Sequence, residues 1–165
     1  MREDLTIRKA SASDAPQISE LIRGVAHYFS LDASGEVPAW FLATITPSAI
    51  AGYIGNPSFN YLVGFADPAL AGVVAVRDGA HIHHLFVASE FHHGGVAAAL
   101  WRRAKADALA SGNRGGFSVR SSEFAVPVYE RFGFRVTGPR EEQEGIAFVP
   151  MRLESSHEDQ GADMA

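Results

Sequence analysis

The stretch Leu85–Leu100, LFVASEFHHGGVAAAL, decides how this chain is read. It ends a strand at Val87, passes through a short loop, meets the pair Gly94-Gly95 and enters a helix. A helix N-terminus presents backbone N–H groups without internal partners and the positive end of the helix dipole. Glycine there lets an anion come close to the main chain. The N–H groups from His93 through Gly94, Gly95, Val96 and Ala97 to Ala98 therefore read as a cradle for a diphosphate. The dipole adds about 0.3–2 kcal/mol to its hydrogen bonds. The same residues would equally serve a strand-to-helix turn that merely needed glycine.

Outward from that loop, composition narrows the classes. The 165 residues suit one domain with a full core. A net charge of −5 argues against a nucleic-acid binder, which is usually basic. No apolar run approaches the roughly 20 residues that span a membrane. The opening MREDLTIRKAS lacks the apolar core of a secretory signal. Cysteine is absent, which removes disulfides, thiol nucleophiles and Cys-based metal sites, and a cytoplasmic location is expected.

Upstream, Leu5–Arg8 predicts a strand. Ser11, Ser13 and Asp14 offer caps to a helix from about Asp14 to Phe29, in which Ile18, Leu21, Ile22 and Val25 recur at helical spacing. Ala39–Ile45 reads as a short helix. Thr46-Pro47 is a cap and first-turn proline for a helix over Ser48–Ile54. Strands follow over Asn60–Ala66, Leu70–Arg77 and His81–Val87, with Asp78-Gly79 as a hairpin turn. Downstream, a helix runs from about Gly95 to Ala110, then a strand over Phe117–Arg120. A short helix over Ala125–Phe132 follows, then strands over Phe134–Thr137 and Ile146–Leu153. An antiparallel meander followed by a strand–helix–strand crossover is a mixed α/β fold. One domain over residues 1–153 is expected, with 154–165 an acidic polar tail.

Three groups of residues carry candidate chemistry. Tyr129 sits toward the end of a short helix closed by Gly133; it reads either as a half-buried core residue or as a phenol able to protonate a leaving thiolate. Strand alternation predicts His81 and His83 on one face and His84 on the other. A neutral imidazole is a general base, directly or through water. Two histidines also begin a metal site, but no third ligand is apparent, and no metal is expected. His27, Tyr28, Phe29, Trp40 and Phe41 suggest an acceptor wall, although most of them read more simply as core.

Together these blocks resemble the GNAT superfamily of acyl-CoA-dependent N-acyltransferases, over Ile7 to about Leu153. One family signature is Gln or Arg, two residues, Gly, one residue, Gly or Ala; His92, Gly95 and Ala97 fill it. A second places Asn seven and Ala four residues before a Tyr, with Gly-Phe after it; Ser122, Ala125, Tyr129 and Gly133-Phe134 fill it. The resemblance implies a mostly antiparallel sheet with a splayed parallel strand pair, flanked by helices. It implies acetyl-CoA as co-substrate, in a cleft between the strands of His81–Val87 and Phe117–Arg120. The backbone of Leu85, Phe86 and Val87 would pair with the pantetheine arm, and Tyr129 would protonate the departing CoA. An amine would attack the thioester directly. His92 and Ser122 depart from the pattern; Ser122, shorter than Asn, would reach the cofactor through water or not at all. Many members carry a glutamate base at the offset of His81. His81 and His83 also fall where arylalkylamine N-acetyltransferases carry a histidine pair, which implies a water-relayed base.

The expectation is an acetyl-CoA-dependent N-acetyltransferase acting on a small primary amine, with no nucleic-acid or membrane partner. A homodimer would fit the superfamily, with the late strands and the tail as candidate surfaces. A non-catalytic acyl-CoA-binding regulatory module stands as an alternative. So does an acetyltransferase of protein N-termini or lysines, which would need an open acceptor groove. A structural domain without a CoA site is the remaining one.

Overall fold

The computed structural model describes residues 5–155. Helices α1 (Ala15–Val25), α2 (Ala39–Ala43) and α3 (Pro47–Gly55) follow strand β1 (Leu5–Lys9). Strands β2 (Phe59–Ala66), β3 (Ala69–Arg77) and β4 (His81–Val87) form the meander. Helix α4 (Val96–Ala110) crosses to β5 (Phe117–Ser121), and α5 (Val126–Arg131), β6 (Arg135–Val136), β7 (Glu141–Gln143) and β8 (Ile146–Leu153) complete the order. The sheet runs β1-β2-β3-β4-β5-β8-β6, with β7 on β8. Every pairing is antiparallel except β4 with β5. The expected mixed α/β fold with one parallel pair is what forms.

Local chemistry sets the joints. Thr46 Oγ1 accepts from Ala49 N at 3.1 Å, and Pro47 starts α3 with no N–H to satisfy. Asp78 and Gly79 take left-handed φ of 55° and 67°, the two-residue turn that matches strand twist. Gly133, at φ 100°, lets Phe134 N reach back to Tyr129 O at 3.0 Å and closes α5. The helix expected over Asp14–Phe29 is three pieces: 3-10 turns at Ala12–Asp14 and Ala26–Tyr28 flank α1. Asp14 starts it, accepting from Ser11 N at 2.8 Å and from both terminal nitrogens of Arg8 at 2.8 and 2.9 Å. The strand β7 was not expected; its Glu-Glu-Gln sequence is exposed throughout and carries no apolar alternation. The expected tail beyond Ser155 lies outside the described residues.

The sheet buries both faces. One carries Leu62, Val74, Val76, Ile82, Phe117 and Val119 against Leu100, Trp101 and Ala104 of α4, with Tyr129 and Phe134. The other carries Tyr61, Val63, Val73 and Ala75 against Ile18, Ile22, Ile45 and Ile50. Each fully buried aliphatic side chain contributes about 1.5–3 kcal/mol. β3 is buried from Ala71 to Val76, as its unbroken apolar run demands of a central strand.

Gly72 is the point where α4 lies closest to the sheet. A Cβ there would stand 2.9 Å from Leu100 Cδ1, 2.9 Å from the Phe86 carbonyl and 3.1 Å from Val96 Cγ1. The carbonyl is backbone, so strand or helix must move. Gly72→Ala is expected to cost about 1–3 kcal/mol in a denaturant titration. An unchanged midpoint would show that the contact yields freely.

Candidate active site

The site begins where β4 and β5 part. They share only two ladder pairs, His81 with Ser118 and Ile82 with Val119. Beyond Ile82, the β4 edge from His83 to Val87 has no strand on that side among the described residues. The expected splayed cleft is therefore present, with Leu85, Phe86 and Val87 along its edge.

At the open end lies the loop read first. Gly95 takes φ 82° and stands at the N-cap of α4; His93 takes φ 65°, which only a minority of non-glycine residues adopt. The first helical bond runs from Ala99 N to Gly95 O at 3.0 Å. The first-turn N–H groups of Val96, Ala97 and Ala98 therefore face out of the helix end. Gly94 departs from the expected cradle: its N–H bonds the Phe91 carbonyl at 3.3 Å. His92 turns inward, its Nε2 lying 2.8 Å from the Val87 carbonyl, and so ties the loop to the end of β4. Ser122 has a local duty as well. Its Oγ accepts from Ala125 N at 3.1 Å at the entry to α5, which binds the side chain to the turn rather than to the cleft.

The histidines do not alternate as expected. Ala75 pairs with His84 and Val76 with Ile82, so His83 is the extra residue of a β-bulge. The bulge turns His84 to the same side as His83, with ring centroids 4.5 Å apart. His84, not His81, is thus the ring lying against His83, tilted by 32°. His81 lies back at the fork, its Nδ1 2.8 Å from Ser118 Oγ. His84 is fully enclosed; its Nδ1 and the Tyr61 hydroxyl are 2.9 Å apart. Around His83 stand Tyr53 at 4.8 Å and Phe59 at 5.1 Å between centroids. Its Nε2 is buried and has no hydrogen-bond partner among the described residues.

Burial sets the proton affinities. It pulls the His83 imidazole down to about 4, with Arg77 and His81 adding repulsion. His84 is driven well below its ordinary value by burial and then by His83. His81 is lowered by burial, Arg77 and Arg120. All three rings are neutral near neutral pH. Across the fork, Tyr129 is only 5% exposed, deeper than the half-buried position expected, and burial pushes its phenol up. It packs edge-on against Phe132 and Phe134.

The aromatic wall lies outside the fully buried core, although Phe41 packs against its edge. None of His27, Tyr28, Phe29, Trp40 and Phe41 is buried, and α2 has no buried residue. Phe29 stands 5.2 Å from Phe41 and 5.8 Å from Phe86, and Phe86 stands 5.3 Å from His84. Tyr28 stacks on Phe124 at 4.5 Å and lies 5.3 Å from His92. Tyr61, Ser118 and Phe124 were not picked out from sequence. They join the site through the bulge and the fork, which leave no spacing signal.

The histidines make folding pH-dependent. The unfolded chain takes up protons near the ordinary value of 6.5, which the folded rings refuse until about 4 for His83. The stability from neutral rings is therefore full above 6.5 and lost as pH falls toward 4. Asp14, held low by Arg8, loses its contribution only below its ordinary 3.8. A melting temperature that drops across the upper window, with a shallower drop in the His83→Gln/His84→Gln double variant, is expected by scanning calorimetry. Identical slopes would assign the effect elsewhere.

A family model described as an acetyltransferase (GNAT) domain matches residues 29–155. No curated protein sequence matches the chain. Among solved structures, the PaiA N-acetyltransferase of Thermoplasma acidophilum, in complex with coenzyme A, is similar at TM-score 0.73 and 18% identity, over 91% of this chain and 98% of that one. A GCN5-related N-acetyltransferase of Rhodopseudomonas palustris is similar at 0.75 and 17%, over 93% and 98%. The ribosomal-protein-S18-alanine N-acetyltransferase of Escherichia coli is similar at 0.69 and 15%, over 92% and 94%. At these identities the structural likeness speaks for the fold alone. The family match over most of the chain, on the fork and glycine-started helix described above, places this protein in the GNAT acetyltransferase family, whose acyl donor is acetyl-CoA.

Proposed function

We propose that the protein transfers an acetyl group from acetyl-CoA to a small primary amine at the fork between β4 and β5. One observation carries this reading: the strands part after Ile82 and Val119, and the exposed edge of β4 leads to the N-terminus of α4. A strand edge with free N–H and C=O groups receives an extended amide-bearing arm as it would another strand. Leu85, Phe86 and Val87 are that edge, with the Val87 carbonyl already held by His92 Nε2. The first-turn N–H groups of Val96, Ala97 and Ala98, with His93 and Gly95 shaping the approach, suit a diphosphate. The bound thioester supplies an electrophilic carbonyl and a thiolate leaving group.

The chain supplies the proton handling. The amine nitrogen forms a C–N bond to the acyl carbon, the C–S bond breaks, and the thiolate needs a proton. We assign that proton to Tyr129, whose phenol burial keeps protonated though a weaker acid than in water, and which the Ser122–Ala125–Tyr129 spacing puts at the family's acid position. The attacking nitrogen must in turn lose a proton. His83 offers the unpartnered Nε2 as acceptor, directly or through a water, with His81 beside it at the fork. An imidazole lowered to about 4 is a weak base, so its first effect is to orient an N–H or a water.

Calorimetric titration with acetyl-CoA tests the donor site: Gly95→Glu is expected to abolish binding, because it places a carboxylate at the diphosphate position. Retained affinity would remove that assignment. Tyr129→Phe is expected to lower kcat by about 10²- to 10⁴-fold with little change in acetyl-CoA affinity. Wild-type turnover would exclude Tyr129 as the acid. For His83→Gln, a kcat loss of similar size, about 10²-fold or more, is expected. A variant with unchanged kcat would place proton removal on the solvent.

A further inference from the structure

The far side of the fork is bridged. β8 runs antiparallel to β5 and pairs with it from Val149 onward, so Ile146–Phe148 project beyond the end of β5, at the mouth of the fork. The segment that follows α1 crosses to meet them. Ser30 forms a bridge with Ile146, and Leu31 N bonds Gly145 O at 2.9 Å. Ahead of α2, the indole of Trp40 donates to Glu144 O at 2.9 Å. Gly145 takes φ 93°, and a Cβ there would lie 3.0 Å from Pro38 Cγ. The crossing segment is itself braced: Ser30 Oγ donates to Glu36 O at 2.5 Å, and Asp32 Oδ1 accepts from Ser34 N at 2.9 Å. A second crossing stands beside it, Tyr28 stacked on Phe124, which follows β5.

The geometry points to a closed acceptor end: the strap of residues 30–40, tied to the β7–β8 turn, determines specificity by admitting a compact primary amine with an apolar or ring-bearing body and excluding polypeptides. This rests on the transferase reading above and deepens it. The body of the acceptor would lie against Phe29, Phe41 and Phe86, which continue toward His84 and His83. These rings are neutral and apolar, which suits an uncharged nucleophile and an apolar body. A lysine within a chain needs two exits for the main chain, and a chain N-terminus needs one. The strap, tied to Glu144 O and Gly145 O beyond the end of β5, would lie across that path.

The test compares CoA release with three acceptors: 2-phenylethylamine, a short peptide with a blocked N-terminus and one internal lysine, and a lysine-free peptide with a free N-terminal alanine. Acetyl-CoA affinity is measured in parallel by calorimetry. The wild type is expected to favour the amine over both peptides by more than about a hundredfold in kcat/KM. Gly145→Val, which strains the turn and pushes Pro38 away, is expected to narrow that gap about tenfold while acetyl-CoA still binds. Trp40→Phe keeps the bulk and removes the indole donor, and is expected to move the ratio the same way if the glycine variant fails to fold. Either peptide used as well as the amine by the wild type overturns the inference, and a gap that neither variant moves overturns the strap as its cause. Bound acetyl-CoA with no turnover of any acceptor would instead overturn the transferase reading, and the acceptor assignment with it.

Discussion

A parallel strand pair gains its stability from an even ladder of hydrogen bonds, and β4 and β5 surrender most of theirs. Two pairs hold them, at His81–Ser118 and Ile82–Val119, and then the sheet opens. Unpaired backbone N–H and C=O groups are costly when buried and useful when a ligand can take them up. The rest of the molecule compensates for that gap. β3 fixes the other edge of β4 from Gly72 to Arg77, and β8 fixes β5 along its full length. Helix α4 spans the break, and its own Leu100 and Trp101, turned to the sheet, are essentially dry. Gly72 admits this helix close enough to hold its N-terminus over the open end.

The bulge at His83 is the second constraint. One extra residue in β4 turns two adjacent imidazoles to one side of the sheet. That side carries Tyr53, Phe59, Tyr61 and Phe86, so both rings enter an apolar, hydrogen-bond-poor setting and lose their charge. The same residues on a regular strand would have put one imidazole into the α4 core. The bulge therefore links register to electrostatics: it creates a paired, neutral histidine site from a sequence that reads as a plain alternation.

This explains what was legible in the sequence. The glycines at 94 and 95, the helix expected from about Gly95 to Ala110 and the Asp78-Gly79 turn rest on local signals, and each formed the element it predicts. The two family signatures fixed the order of strand, loop and helix around the fork. Nothing local marks a bulge, so strand alternation predicts the wrong face for His84. Nothing local marks β7, whose charged residues pair only because β8 passes beside them. Ser122 stands at a signature position and Gly94 within the expected cradle, yet nearby backbone partners claim Ser122 Oγ and the Gly94 N–H first. The aromatics from Tyr28 to Phe41 read as core because hydrophobicity alone does not say whether a ring faces protein or cleft.

Tyr129 and His83 then stand in opposite relation to the same physical effect. Burial disfavours charge on either group, which keeps the phenol protonated and the imidazole unprotonated. A proton donor and a proton acceptor thus coexist at one pH without a charged partner for either. The arrangement has a requirement of its own: water must stay scarce around both groups, since solvation would erase the difference between them. The rings packed around His83 and those packed around Tyr129 keep water scarce there, so the packing on the two faces of the sheet sets both protonation states.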